Sequence, residues 1–177
     1  MKKAAGNTLR HLRSRAVEHR ESAGASRTGD RFVIRPAETS DIAAISALDA
    51  RITSISKKQH WQDLLARSKS RDGAQFFLVA DASASSKPLL GFIVGEIRAW
   101  EFGSSPSGWV YALSVEPSVR EHGVGEALLA AIEEEFKRCK ITKMRTMVAE
   151  DSPLPMLFFR AEGMMAGPYI QLEKDLN

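Results

Sequence analysis

The apolar positions of this chain switch repeatedly between the two-residue period of a strand and the 3.6-residue period of a helix. Arg31-Phe-Val-Ile-Arg35 reads as a first strand, closed by Pro36, which cannot continue a sheet interior. A helix follows, with Thr39 or Ser40 as its cap, Asp41 in its first turn and Ile42, Ile45 and Leu48 at helical spacing. A second helix runs from about Lys57 to Ser70, with Trp61, Leu64 and Leu65 as its buried stripe. After the breaker pair Asp72-Gly73, the continuous apolarity of Gln75-Phe-Phe-Leu-Val-Ala80 predicts a strand buried on both faces. A polar loop leads to a strand from Leu89 to Trp100, and neighbours of this kind pair as a hairpin.

The second half continues the pattern. A glycine-containing loop, Glu101 to Gly108, precedes a strand from Trp109 to Val115. The helix from Val124 to about Lys140 turns Leu128, Leu129, Ile132 and Phe136 inward and the run Glu133, Glu134, Glu135, Lys137 and Arg138 outward. Lys143 to Val148 reads as a further strand, Met156 to Ala161 as a short helix ended by Gly163, and Tyr169 to Lys174 as a last strand of clean alternation. The order is therefore strand, two helices, three strands, helix, strand, helix, strand, without an internal repeat.

Between the Trp109–Val115 strand and the next helix stands Glu116-Pro-Ser-Val-Arg-Glu-His-Gly-Val-Gly125. Gly123 and Gly125 admit backbone angles closed to other residues, so successive amides can turn inward together. The helix that opens at Val124 adds its first unpartnered N–H groups and the positive end of its dipole, a suitable seat for a pyrophosphate. The spacing does not supply the Gly-Lys-Ser/Thr of a Walker loop, and Leu128 occupies the third glycine position of a dinucleotide fingerprint. An ordinary strand-to-helix turn remains the plain alternative.

The pattern Val115-x-Pro117-x-x-Arg120-x-x-Gly123-x-Gly125 resembles the acetyl-CoA motif of the GNAT superfamily of N-acetyltransferases. The element order over residues 31 to 175 is similar to the GNAT fold as well. The resemblance implies an α/β (α+β) domain over residues 31–177, a mixed central sheet splayed between its fourth and fifth strands with helices on both faces. It implies acetyl-CoA as co-substrate and no metal, with Leu113, Ser114 and Val115 holding pantetheine through their main chain. Arg120, Glu121, His122, Gly123, Val124, Gly125 and Glu126 would hold the pyrophosphate. Phe159, which the resemblance places among the acetyl-CoA-binding residues, falls at the position where the family's tyrosine acid usually stands, within Ser152, Pro155, Phe158, Phe159, Gly163 and Met164. The implied reaction is direct attack of a primary amine (a protein N-terminus, a lysine or a small amine) on acetyl-CoA in a ternary complex. The alternative is a non-catalytic acyl-CoA-binding or regulatory module.

Acetyl transfer needs a base for the amine and an acid for the departing thiolate. Phe159 cannot donate a proton, so Tyr111 on the cleft strand and Tyr169 on the last strand are candidate acids, each set against a role as a packed aromatic. Glu96 is the candidate base, with Glu150 and Asp151 as alternatives; strand alternation puts Glu96 on the face of Val94 and Arg98, where a salt bridge competes with catalysis. His122 lies inside the phosphate turn and reads as solvent-facing. The loops Ile52 to Gln59 and Glu101 to Gly108 would select the acceptor and carry no legible code.

Composition changes this picture in three places. At 177 residues, 44% hydrophobic and 27% charged, the chain has ordinary single-domain proportions. No apolar run reaches the ~18 residues of a membrane helix, and a single cysteine, Cys139, forbids an internal disulfide, so a structural thiol and a cytoplasmic location are expected. The net charge of +3 belongs to a tail: residues 1–29 carry Lys2, Lys3, Arg10, Arg13, Arg15, Arg20 and Arg27 against Glu18 and Glu21, and the remainder holds 18 basic and 20 acidic residues. Residues 1–30 thus read as a basic, flexible extension, with a nucleic-acid arm or a transit peptide as lesser readings. An amine acceptor is the expected partner, nucleic acid and membrane are not, and a homodimer stays open because many GNAT relatives dimerise.

Overall fold

The computed structural model describes residues 26–28, 32–70, 74–82 and 88–176. It divides into two compact units, the first ending at Thr146 and the second beginning at Met147. The expected flexible tail lies, up to residue 25, outside the described residues. Its last part contributes a strand that hydropathy does not reveal: β1 (Ser26–Thr28) pairs antiparallel with β2 (Phe32–Pro36).

The first unit is a six-stranded sheet in the order β1-β2-β3-β4-β5-β6, where β3 is Gln75–Ala82, β4 Leu89–Arg98, β5 Ser107–Val115 and β6 Met144–Arg145. The first five strands pair antiparallel with their neighbours, and β6 joins parallel to β5. On one face lie α1 (Ile42–Thr53) and α2 (Lys58–Lys69). Their stripes Ile42, Ile45, Leu48, Trp61, Leu64 and Leu65 pack with Phe77, Val79, Phe92 and Val94 into one core. Burial of a large apolar side chain contributes roughly 1.5–3 kcal/mol, so this layer is a major source of the unit's stability. Asp49, buried in α1, accepts hydrogen bonds from Trp61 Nε1 (3.2 Å) and an ion pair from Lys57 Nζ (3.1 Å), tying the two helices across their turn.

The other face takes α3 (Val124–Arg138), whose Val124, Leu128, Leu129, Ile132 and Phe136 are buried. Its approach depends on two glycines. A Cβ at Gly108 would lie 2.5 Å from the Phe136 ring, and one at Gly95 would meet Ile132 Cδ1 and the Trp109 carbonyl at 2.8 Å. Glycine therefore lets the phenyl ring rest directly on the backbone of β5.

The start of α1 is fixed by charge rather than by Thr39 or Ser40, which sit in a single 3₁₀ turn, Thr39–Asp41. Asp41 Oδ2 accepts the Glu38 amide at 2.7 Å, and the Arg35 guanidinium donates to both Asp41 oxygens (2.7 and 2.8 Å) while also reaching Asp81 (2.7 Å). Hydrogen bonding to Asp41 holds the Arg35 pKa above its ordinary value. Burial opposes ionisation of Asp41, yet its hydrogen bonds to Arg35 and the Glu38 amide outweigh that and hold its carboxyl below the ordinary 3.8.

Two expected strands differ from what forms. The strand read over Lys143–Val148 is limited to Met144–Arg145, because the Thr146 hydroxyl takes over and donates to the Val110 carbonyl at 2.8 Å. In the second unit, α4 (Pro153–Ala161) begins earlier than Met156, with Pro153 at its first turn, where the missing N–H is not needed. It ends as expected at Gly163 (φ +82), with the Met164 amide donating to the Phe159 carbonyl at 2.9 Å. The strand expected at Tyr169–Lys174 is absent. Residues 164–176 take no regular structure, and Ile170 and Leu172 are 88% and 90% exposed. Alternation marks residues that could share a face; it does not provide the neighbouring strand on which hydrogen bonds depend.

Gly108→Ala is expected to lower stability by about 1–3 kcal/mol, the range of overpacking, measured by urea unfolding. Asp41→Asn is expected to cost about 1–2 kcal/mol at neutral pH. Because the folded carboxyl has the depressed pKa, its contribution is complete above 3.8 and fades as pH falls through the lower, folded value. Denaturant midpoints of wild type and variant should therefore converge in strong acid.

Candidate active site

β5 is the element around which the site is built. From Val115 back to Trp109 it pairs with β4, Gly91 facing Val115, Phe92 facing Ser114 and Ile93 facing Leu113, with one register shift that leaves Tyr111 out of the ladder. Its other edge is paired with β6 only at Gly108 and Trp109. Among the described residues of the first unit, the edge from Tyr111 to Val115 has no ladder partner beyond the Thr146 contact to Val110. Leu113, Ser114 and Val115, the residues expected to bind pantetheine, are half-buried on this open edge. Amides on an unpaired strand edge need a hydrogen-bonding guest or water.

The chain then turns through Glu116 and the 3₁₀ turn Pro117–Val119 into α3. The Arg120 and His122 amides are taken by the carbonyls of Pro117 (3.4 Å) and Val119 (3.3 Å). The left-handed angles expected of both glycines fall instead on Glu121 (φ +70) and Gly123 (φ +78); Gly125 is already the second residue of the helix. The first intrahelical bond at this end runs from the Ala127 amide to the Gly123 carbonyl at 3.0 Å, so the amides of Val124, Gly125 and Glu126 precede the ladder. With the helix dipole they form an anion seat, approached by exposed Arg120 and bordered by exposed Glu126. His122 is exposed, with Nδ1 3.0 Å from the Arg120 carbonyl oxygen. Arg51 of α1 forms an ion pair with Glu116 where the turn begins.

The sheet face carrying α1 and α2 holds the polar groups. Gln75, Glu96 and Trp109 stand in one cross-strand row, which places them together on it. Glu96 Oε1 accepts from Arg98 Nε at 2.6 Å, the expected salt bridge, and both side chains remain about one-third exposed. The Arg98 guanidinium lies 4.9 Å from the Trp109 ring centre and that of Arg145 5.9 Å from it. Trp109 Nε1 is buried without a hydrogen-bond partner among the described residues.

Tyr111 reaches the same group. Its hydroxyl accepts a hydrogen bond from Gln75 Nε2. Burial pushes the phenol up to about 12; the Gln75 hydrogen bond acts in the opposite sense and the Glu96 charge adds to the rise. The structure thus brings Glu96 and Tyr111 into one electrostatic neighbourhood. Glu150 and Asp151 are exposed residues of the second unit, as is Tyr169, and Phe159 is buried there with the Phe158 ring edge-on at 5.1 Å. Gln75 and Trp109 were not singled out by the sequence, and Arg98 was expected only as the salt-bridge partner of Glu96. Only Gln75 carried a signal, as the one amide in an apolar run. Among the described residues no His/Cys/Asp/Glu group suits a metal ion, and no helix is long and apolar enough to cross a membrane.

Titration is expected to show the perturbed phenol directly, because the chain has two tyrosines. With 3-fluorotyrosine incorporated to bring ionisation into a range where the fold survives, the transition lost in Tyr111→Phe should be one displaced upward from that of the free amino acid.

Known structures share this architecture. An aminoglycoside antibiotic 6'-N-acetyltransferase from Acinetobacter baumannii superposes with a TM-score of 0.69 at 18% identity, over 82% of this chain and 99% of that one. The enzyme AAC(6')-Iy, solved with a CoA-containing bisubstrate analogue, gives 0.70 at 15% identity over the same shares. A transcriptional regulator from Bacillus halodurans C-125 gives 0.66 at 16% identity, again over 82% and 99%. At these identities the likeness establishes the fold. No curated protein matches the sequence. Residues 42–157, from the start of α1 into α4, match the Acetyltransferase (GNAT) family, and the chain belongs to that family.

Proposed function

We propose that the protein transfers an acetyl group from acetyl-CoA to a primary amine, in a complex that holds both substrates together. The observation that carries this reading is the continuity of two features: the unpaired edge of β5 leads, through one turn, into the three uncommitted amides of α3. A chain of peptide-like amides ending in a diphosphate matches that series of donors and acceptors. Leu113 and Val115 would hold the pantetheine arm, and Glu121, Gly123, Val124, Gly125 and Glu126 would hold the diphosphate through their main chain, with Arg120 adding charge. The co-substrate supplies an activated acyl carbon, whose C–S bond is replaced by a C–N bond to the amine.

The chain's residues then have to manage two protons. Glu96 keeps one carboxylate oxygen, Oε2, outside its bond to Arg98, and that oxygen takes the proton the amine must lose. Tyr111 is neutral at physiological pH, its hydroxyl proton intact, and serves as the donor that neutralises the departing sulfur. This assignment fills the role that Phe159 cannot play. Amines of small size are the acceptor class suggested by the aminoglycoside acetyltransferases of similar fold. We further propose that residues 31–177 suffice for this activity and that residues 1–30 are accessory.

Release of free thiol from acetyl-CoA in the presence of a panel of amines and peptide N-termini tests the reading. Gly123→Val is expected to weaken CoA binding on the order of tenfold by calorimetry while far-ultraviolet circular dichroism is unchanged. A Cβ there meets no protein atom within 4 Å, and the cost falls on the left-handed backbone and on the room left for the diphosphate. Tyr111→Phe should lower kcat on the order of 10²-fold. Tight CoA binding without turnover on any amine would leave only the acyl-CoA-binding module.

A further inference from the structure

Gln75 is the one polar side chain in the run Gln75–Ala80, and it is 7% exposed. A buried amide left without partners costs roughly 1–3 kcal/mol, so its presence at the mouth of an apolar strand calls for a specific partner. That partner is two strands away. Val94 faces Ala112 and Gly95 faces Val110, so β5 carries one residue more than β4 at this point, and the extra residue is Tyr111. Bulges re-aim side chains. This one turns the phenol across β4, so that its oxygen accepts the Gln75 Nε2 hydrogen.

The polarity of this bond matters because a phenol has one proton to give. Glu96 and Arg98 of β4 and Arg67 of α2 all act on Tyr111 electrostatically, and Glu96, as a carboxylate, is the strongest acceptor among them. A phenol free to rotate would spend its proton on such a neighbour. With the Gln75 amide donating into its oxygen from the side, the hydroxyl hydrogen is turned away from Gln75 and the phenol is held in one orientation.

We propose that Gln75 is a positioning residue for acyl transfer: by donating Nε2–H to Tyr111 Oη it fixes the phenol with its own proton free for the departing sulfur. The proposal rests on the reading of Tyr111 as the proton donor. The test separates Gln75 from a merely structural residue through its Nε2–H donation to Tyr111 Oη. The same bond stabilises the phenolate relative to the phenol, so losing it raises the pKa of Tyr111 further, in line with its opposing contribution at present.

Gln75→Leu keeps the side chain's approximate size and removes the donor, and Gln75→Glu replaces it with a group that only accepts. Both are compared with wild type in steady-state kinetics with the best amine of the panel, in CoA calorimetry and in the fluorotyrosine titration. The expected result is a fall in kcat of about 10- to 100-fold with KM for the amine and CoA affinity within about twofold, and a phenol transition displaced upward in each variant. In a Tyr111→Phe background, Gln75→Leu should cause no further loss of kcat. An equal loss in that background, or an unmoved phenol transition in the variant that folds, would overturn the proposal. Should Gln75→Leu fail to fold, Gln75→Glu carries the same comparison. The titration needs no substrate, so a wild-type protein that transfers no acetyl group would defeat the transferase reading while the hydrogen bond's polarity is still decided.

Discussion

The rest of this structure depends on where β5 loses its second hydrogen-bonding partner. A strand inside a sheet is satisfied on both edges, and one at the boundary of a sheet leaves every second amide and carbonyl open. Here the ladder to β6 stops after Trp109 and Arg145, and the Thr146 hydroxyl satisfies one more carbonyl, that of Val110. Beyond it the strand continues for five residues with one free edge. α3 packs on one face of the sheet and α1 with α2 on the other. An open row of main-chain donors and acceptors follows from the topology.

The same strand explains why the chemistry collects where it does. The bulge at Tyr111 interrupts the alternation of β5, and the row formed by Gln75, Glu96 and Trp109 crosses three strands at that level. Polar groups that would be expensive in the core just below, among Phe77, Phe92 and Val94, pair with one another here, Trp109 Nε1 excepted. Arg98 binds Glu96 and covers the Trp109 face, and Gln75 binds Tyr111. The α1–α2 core ends where this polar layer begins.

Most of the fold was legible because its information is local. Ile42, Ile45 and Leu48, or Trp61, Leu64 and Leu65, state a helix and its buried face within a dozen residues, and Val115, Pro117, Gly123 and the amphipathic run behind them state a strand, a stop and a helix start. The expectation for Gly125 missed because sequence shows where a left-handed angle is allowed, not which residue takes it; Glu121 took it instead. The strands at Lys143–Val148 and Tyr169–Lys174 missed for a different reason. Their existence is set by pairing with distant backbone, which alternation in Tyr169-Ile-Gln-Leu-Glu-Lys does not encode. At the candidate site, Glu96 and Tyr111 were visible as residue types on adjacent strands, but the Gln75 contact depends on a bulge two strands away and had no local signature beyond an amide among apolar neighbours.

Cys139, the chain's sole cysteine, closes the C-terminal end of α3 at 2% exposure, its amide donating to the Glu135 carbonyl. A native preparation therefore presents almost no sulfhydryl to a water-borne reagent. Colorimetric counting of liberated mercaptan starts from a nearly flat baseline, and a slow rise of one equivalent per polypeptide would report opening of the domain rather than turnover.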